Sequence, residues 1–419
     1  MRVALISYHT SPLANLGSSA AGGMNLYIRR LAEGLAAAGC RVDVFTRRDS
    51  RRFPDMLEFT PGARLLTVRA GPERVVPKEE LAGHTMAFAR NIAAFASDNK
   101  LRYDVIHSHY WLSGIAASAL RFRDEPLIHM FHTLQRVKQL YQPSATGADP
   151  ASRDLAEMRL LRSKLSLVFS TEAEVDDVER VYGFRPDSFS IIPPGVDHDR
   201  FQPQDGPTAK ARLGLAGRKV VLCVGRMDRA KGVDALLDAI TGLRERGELS
   251  PAMRLVIVGG SDHRRDGVAA DEVARLRGIV RSRDLGRFAD FRGVVPQEEL
   301  PLYYAAADVC AVPSSYESFG MVALEALSCG RPVVGFRSRG LEQTVRDGRS
   351  GLLVPVGEAL AFGRALNQVL DDPALAKRMG IAARESVRGF SWDLVVKRSM
   401  TLYEDLVAGV SPPLAVRSS

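Results

Sequence analysis

Short apolar runs recur along the chain and alternate with stretches whose apolar positions have helical spacing, and in the second half each run is closed by glycine, proline or a charged residue. In the first half they fall at residues 2–8, 42–45, 65–68, 105–107 and 127–131, and in the second at 220–224, 255–258, 309–312, 333–336 and 352–354. Such alternation predicts strands joined by crossover helices, hence parallel sheets in an α/β fold. The pattern occurs twice, which predicts two Rossmann-like domains facing across a cleft into which the carboxyl ends of both sets of strands open. Between the sets lie Ile191-Ile192-Pro193-Pro194-Gly195-Val196-Asp197 and the polar, proline-bearing stretch 201–207, which read as a linker. The expected domains are residues 1–204 and 205–390. In the terminal segment 391–419, Trp392, Leu394, Val395, Met400, Tyr403 and Leu406 recur at amphipathic spacing, so this helix needs an apolar surface and is expected to cross back onto the first domain.

The length of 419 residues agrees with two domains, and 46% hydrophobic with 25% charged residues is ordinary for a globular protein. The net charge of +8 admits nucleic acid, an anionic membrane surface or phosphorylated substrates as partners. The arginines are dispersed, and local runs such as 47–52 and 263–266 are interrupted by acids and lack interleaved aromatics, which argues against nucleic acid and leaves lipid headgroups as a lesser alternative. Cys40, Cys223, Cys310 and Cys329 form no Cys-x-x-Cys pair and read as buried thiols in a reducing compartment. The apolar run at 3–6 is too short for a secretory signal and no run approaches the ~18 residues that span a bilayer, so a cytoplasmic location is expected.

Candidate chemistry concentrates where strands end. Ser315-Tyr316-Glu317-Ser318-Phe319-Gly320-Met321 leads from an apolar run into a helix that carries Glu325, expected about two turns in. Carboxylates at 317 and 325 suit the vicinal hydroxyls of a sugar or ribose, while the backbone N–H groups of Phe319, Gly320 and Met321 at the helix start suit phosphate. The bland alternative, two solvated glutamates, fits poorly with Glu325 between Leu324 and Ala326-Leu327. After the run 220–224, Gly225-Arg226-Met227-Asp228-Arg229-Ala230-Lys231-Gly232 places two cations on a loop, a pair that can hold a diphosphate and stabilise it as a leaving group. Neither a P-loop nor Gly-x-Gly-x-x-Gly is present. Gly22-Gly23-Met24-Asn25 opens a helix with bare backbone, and His107-Ser108-His109-Tyr110 and Phe131-His132-Thr133 end strands. The His-x-His pair has no third ligand at a recognisable spacing, so no metal site is expected, although a structural magnesium stays open.

Together Gly22-Gly23, His132, Arg226 with Lys231, and Glu317 with Glu325 resemble the retaining GT-B glycosyltransferases of family four, a resemblance that covers nearly the whole chain. Within the family the likeness is strongest to the mycothiol-pathway members that join N-acetylglucosamine from a uridine diphosphate donor to an inositol phosphate. The matching segments are 6–13, 22–25, 76–78, 107–114 and 131–134. The resemblance implies that Arg226 and Lys231 hold the donor diphosphate, Glu325 the ribose, Glu317 the transferred sugar, and Gly293 with Val294 the base, with Gly23 and the 318–321 backbone (Ser318, Phe319, Gly320, Met321) completing the donor site. It implies that Lys78, Tyr110, Thr133 and Arg153 hold an acceptor phosphate, that His9, Asn25 and Gly22 contact the acceptor, and that His132 lies near the reacting carbon. Front-face transfer with retention follows, the departing phosphate oxygen taking the acceptor proton, with no cofactor beyond the UDP-sugar. One departure is Ala20, where the family pattern has aspartate, so fructose 6-phosphate as in sucrose-phosphate synthases, or glucose as the donated sugar, stays open. The remaining alternatives are a peripheral enzyme acting on a phosphatidyl lipid and a catalytically silent sugar-nucleotide-binding subunit; a homodimer is also open.

Overall fold

A computed structural model of the chain describes residues 1–14, 22–120, 125–141, 150–260 and 267–410. It forms two compact units, one built from Met1–Ala14, Gly23–Pro193 and the segment from Trp392, the other around Pro194–Ser391.

The first unit holds β1 (Arg2–Ile6), β2 (Arg41–Arg47), β3 (Met56–Thr60), β4 (Ala63–Val68), β5 (Val105–His109), β6 (Leu127–Met130), β7 (Ser166–Phe169) and β8 (Phe189–Ile191), in the order β3-β4-β2-β1-β5-β6-β7-β8. All neighbours run parallel except β3, which pairs antiparallel with β4 and carries the exposed Met56 and Leu57. Helices cover the interior strands, so Val3, Leu5, Val42, Val44, Val105 and Ile128 are buried, which is why these strands read as continuous apolar runs. The helix Trp392–Val407 belongs to this unit and packs on the helix Gly23–Ala37. Gly34 permits the approach: a Cβ there would lie 2.2 Å from a Val396 methyl. Tyr27, Leu31, Leu35, Val395, Leu402 and Tyr403 share one core cluster, which supplies the apolar surface that the amphipathic spacing of the last helix requires.

The second unit holds β9 (Lys219–Val224), β10 (Met253–Val258), β11 (Ala289–Gly293), β12 (Val309–Val312), β13 (Val333–Phe336) and β14 (Gly351–Val354), in the order β11-β10-β9-β12-β13-β14. All pairings are parallel. Counted within the unit this is the doubly wound order 3-2-1-4-5-6, with its switch point between β9 and β12. In the first unit the corresponding reversal falls between β1 and β5. Two core clusters accompany this sheet, one centred on Leu222, Val256 and Cys310 and the other on Val221, Leu255 and Val309, as alternating side chains of doubly covered strands demand. All four cysteines are free and buried. Among the described residues no helix is long and apolar enough to cross a membrane.

Candidate active site

At a doubly wound switch point the loops leaving two adjacent strands diverge, and the gap between them exposes the carboxyl ends of both. In the second unit those loops follow β9 and β12. The β9 loop runs through Arg226 into a single turn at Arg229–Lys231, and Gly232, at φ 65°, opens the helix Val233–Glu245. The β12 loop passes Pro313 to Glu317, and Lys231 Nζ lies 2.6 Å from Glu317 Oε1. Arg226 Nη2 stands 3.1 Å from Asp228 Oδ2 on its own loop. Val224, Gly225, Arg226, Lys231, Pro313 and Glu317 thus line one small depression. A much wider cavity of about 630 Å³ beside residues 161–167 and 184–188 of the first unit collects none of these groups.

Gly320, at φ 88°, caps the helix Met321–Ser328. Glu325 is its fifth residue, so it sits little more than one turn in rather than two. It is 8% exposed, which removes the solvated alternative, and its Oε2 accepts from the Tyr304 hydroxyl at 2.8 Å. Burial pushes the Glu325 carboxyl up from the ordinary 4.5 to about 7, against the hydrogen bonds of Tyr304 and Gln297 and the charge of Arg200. The Phe319 side chain is buried in the core against Phe390, ring centroids 5.6 Å apart, so only its backbone faces the site. Met321 supplies the first helical N–H, and N–H groups of the first turn have no intrahelical acceptor. Ser318 is half-buried on the same loop. Gly293 ends β11 at φ 73°, its carbonyl accepting from Gly259 N at 2.7 Å, and Val294 beyond it is exposed.

In the first unit the loops after β1 and β5 bring His9 against Tyr110, ring centroids 4.4 Å apart. The Arg153 guanidinium covers the Tyr110 ring at 4.9 Å and donates to the Thr133 carbonyl at 3.0 Å. Arg153 is held from behind by Glu157, whose Oε1 lies 2.6 Å from its Nε and whose Oε2 accepts from Gln135 N and the Tyr182 hydroxyl. Tyr110, Thr133, Arg153 and His9 are therefore one cluster. Asn25 is buried, and its amide hydrogens go to Thr10 Oγ1 at 2.8 Å and the Ser11 carbonyl at 2.7 Å, so it staples the loop after β1 to the helix. Gly22 lies immediately before that helix and Gly23 is its first residue; Lys78 opens the short helix Lys78–Leu81. Ala20 and the basic run 263–266 lie outside the described residues.

His132 follows β6 in the left-handed region at φ 59°, and Tyr110 follows β5 at φ 75°. Non-glycine residues hold such angles only where the surroundings enforce them, and they follow adjacent strands, Tyr110 at the switch point and His132 one strand further on. Burial holds His107, His129 and His132 down at about 3 and His109 well below its ordinary value, so all four rings are neutral at pH 7. Among the described residues no three His, Cys, Asp or Glu side chains are disposed to hold a metal ion.

Residues 21–200 match the family described as Glycosyltransferase Family 4, and residues 207–386 the family described as Glycosyl transferases group 1. The D-inositol 3-phosphate glycosyltransferase of Corynebacterium diphtheriae is 38% identical over 97% of this chain and 95% of its own length. A solved sucrose-phosphate synthase from Thermosynechococcus elongatus is 35% identical, covers 97% of this chain and 99% of its own, and superposes with a TM-score of 0.89. The chain belongs to the GT-B glycosyltransferases. Anabaena HepE in complex with UDP and glucose, at 18% identity, 96% coverage of this chain, 99% of its own and a TM-score of 0.73, shares the GT-B fold.

Three partners of these groups escape sequence reasoning. Tyr304 and His109 act on Glu325 and His132 from other elements, and Glu157 braces Arg153 from one turn along the same helix. Only the spacing of Arg153 and Glu157, four apart on the helix Pro150–Leu161, left a readable signal.

Proposed function

We propose that this GT-B glycosyltransferase moves a hexosyl unit, N-acetylglucosamine or glucose, from a UDP-sugar to a hydroxyl of a small phosphorylated acceptor, inositol phosphate first, with retention. The observation that carries the reading is a fixed cation at each switch point: Lys231 braced by Glu317 after β9, and Arg153 braced by Glu157 beside β5. A braced guanidinium stacked over the Tyr110 ring beside the Thr133 hydroxyl is a phosphate cradle, and Arg226 with Lys231 is a diphosphate cradle.

In the reaction, Glu325 accepts the ribose hydroxyls and Glu317 the hydroxyls of the transferred sugar. Gly293 and Val294 border the base. As the bond from the sugar C1 to the diphosphate oxygen breaks, Arg226, Lys231 and the amides of residues 318–321 take up the developing charge. The acceptor oxygen bonds C1 on the same face, and its proton passes to the departing phosphate oxygen, releasing UDP. Two cations compensate the leaving group, so the scheme needs no cofactor beyond the nucleotide sugar and no protein nucleophile. His132 borders the reacting carbon, and Arg153 takes the acceptor phosphate. Fructose 6-phosphate is the second acceptor, favoured by the likeness to the sucrose-phosphate synthase.

The test is purified enzyme with UDP-N-acetylglucosamine or UDP-glucose against inositol phosphate, fructose 6-phosphate and no acceptor, reading released UDP, product mass and anomeric configuration. Acceptor-dependent release with inositol phosphate and an α-linked product is expected. Turnover with fructose 6-phosphate alone would replace the acceptor, and an inverted product would overturn the front-face step.

The titration of Glu325 gives a second expectation. Ribose hydroxyls donate to the ionised carboxylate, so the affinity for UDP-N-acetylglucosamine, whose diphosphate does not titrate near neutrality, rises with pH and levels off above about 7. Calorimetry is expected to show up to about a tenfold gain per pH unit below that point, and Glu325→Gln a flat profile at weaker affinity. A flat wild-type profile would remove Glu325 from the ribose.

A further inference from the structure

Four histidines at the ends of β5 and β6 occupy one buried volume. His107, His109 and His129 have no exposed surface, while His132 is half-buried. The rings of His107 and His109 lie 4.3 Å apart, and the Tyr27 ring meets His109 and His132 edge-on at 5.9 and 5.4 Å. Within this packing His109 Nδ1 stands 3.1 Å from His132 Nε2.

Two neutral imidazoles facing each other share one hydrogen between the facing nitrogens, and which ring supplies it is decided by the other nitrogen of each. If His132 Nε2–H donated, the hydrogen of His109 would sit on its Nε2. That atom is buried and has no hydrogen-bond partner among the described residues. A buried N–H without an acceptor is among the rarest groups in folded proteins and forfeits its full desolvation cost, whereas a bare acceptor is better tolerated. The opposite arrangement leaves His109 Nε2 as a bare lone pair and makes its Nδ1–H the donor.

We propose that His109 is a positioning residue that donates from Nδ1 to His132 Nε2 and so fixes His132 as the Nδ1–H tautomer. His132 then carries its N–H donor on Nδ1 and has no lone pair with which to accept a proton. If His132 borders the transferred sugar, as the proposed function has it, this donor suits a sugar hydroxyl or ring oxygen. A base at that position is excluded by the same hydrogen. This consequence rests on that function; the tautomer itself rests only on the packing.

The test separates the two. Protein labelled with 15N-histidine is examined by long-range 1H–15N correlation at pH 7, with the His132 signals assigned by their loss in His132→Asn. The expected pattern is a protonated Nδ1 and an unprotonated Nε2 on His132. A protonated Nε2 would overturn the proposal, whatever the enzyme's activity. In His109→Leu the His132 pattern is expected to change and kcat to fall roughly 10- to 100-fold, with the donor KM little altered. In His109→Asn, whose amide N–H replaces Nδ1–H, both the pattern and most of kcat are expected to return, which also controls for loss of fold. Correct tautomers with unchanged kcat in His109→Leu would overturn the role of His132 at the sugar and leave its tautomer assignment standing.

Discussion

Lys231→Ala is expected to lower kcat by about 10²- to 10³-fold while the protein keeps its fold. That is the usual loss when one preorganised charge partner of a developing anion is removed. The lysine sits on the turn after β9, and its ammonium is fixed 2.6 Å from Glu317 Oε1, so it needs no reorganisation to meet a diphosphate. The pair is part-exposed, at 25% and 14% of side-chain surface, which keeps the stability cost of the substitution near about 1 kcal/mol. Lys231→Arg is expected to recover part of the rate, because a guanidinium restores the charge in a different shape. Steady-state UDP release with circular dichroism alongside checks this, and wild-type turnover in Lys231→Ala would sink the diphosphate assignment.

Gly232→Ala, one residue on, is expected to destabilise the protein and to disable it. Gly232 has φ 65°, and a Cβ there would lie 2.1 Å from the Pro313 carbonyl oxygen. The left-handed conformation costs alanine about 1–2 kcal/mol, and the clash is with backbone, which can be relieved only by moving the β9 and β12 loops apart. A total of roughly 3 kcal/mol lowers Tm by about 6–12 °C for a unit of this size. Separation of the same loops parts Lys231 from Glu317, so activity is expected to fall further than stability predicts. Gly232→Asn tolerates the angle but keeps the Cβ, and is expected to recover the strain and not the clash. Thermal melts of the three proteins decide the matter: an alanine variant melting with wild type would mean that the loops do not meet as described.

Arg153 shows how the two kinds of information divide. Its residue type and its i, i+4 partner were readable, yet its place over Tyr110 comes from the packing of the helix Pro150–Leu161 beside β5 and β6. The family resemblance implied that Asn25 contacts the acceptor, and in the fold both its amide hydrogens secure the loop after β1. Phe319 was read with the phosphate loop, and its ring turned out to be core.

The strands at the centre of both sheets, and the loops that carry Arg226, Lys231, Glu317 and His132, were legible in the sequence alone. Strands buried on both faces must be apolar at every position, and the loops after them must be polar, so local composition reports them directly. The strands β3, β8 and β11 at sheet edges went unread, along with the short β7, because an edge strand covered on fewer sides carries mixed residues that resemble loop. Tertiary structure alone decided that Lys231 meets Glu317, that Tyr304 backs a carboxylate titrating near 7, and that His109 meets His132. Sequence periodicity records how deeply a residue is buried. Which charge or ring nitrogen it meets there depends on elements that only folding brings together, and on the low-dielectric surroundings they create.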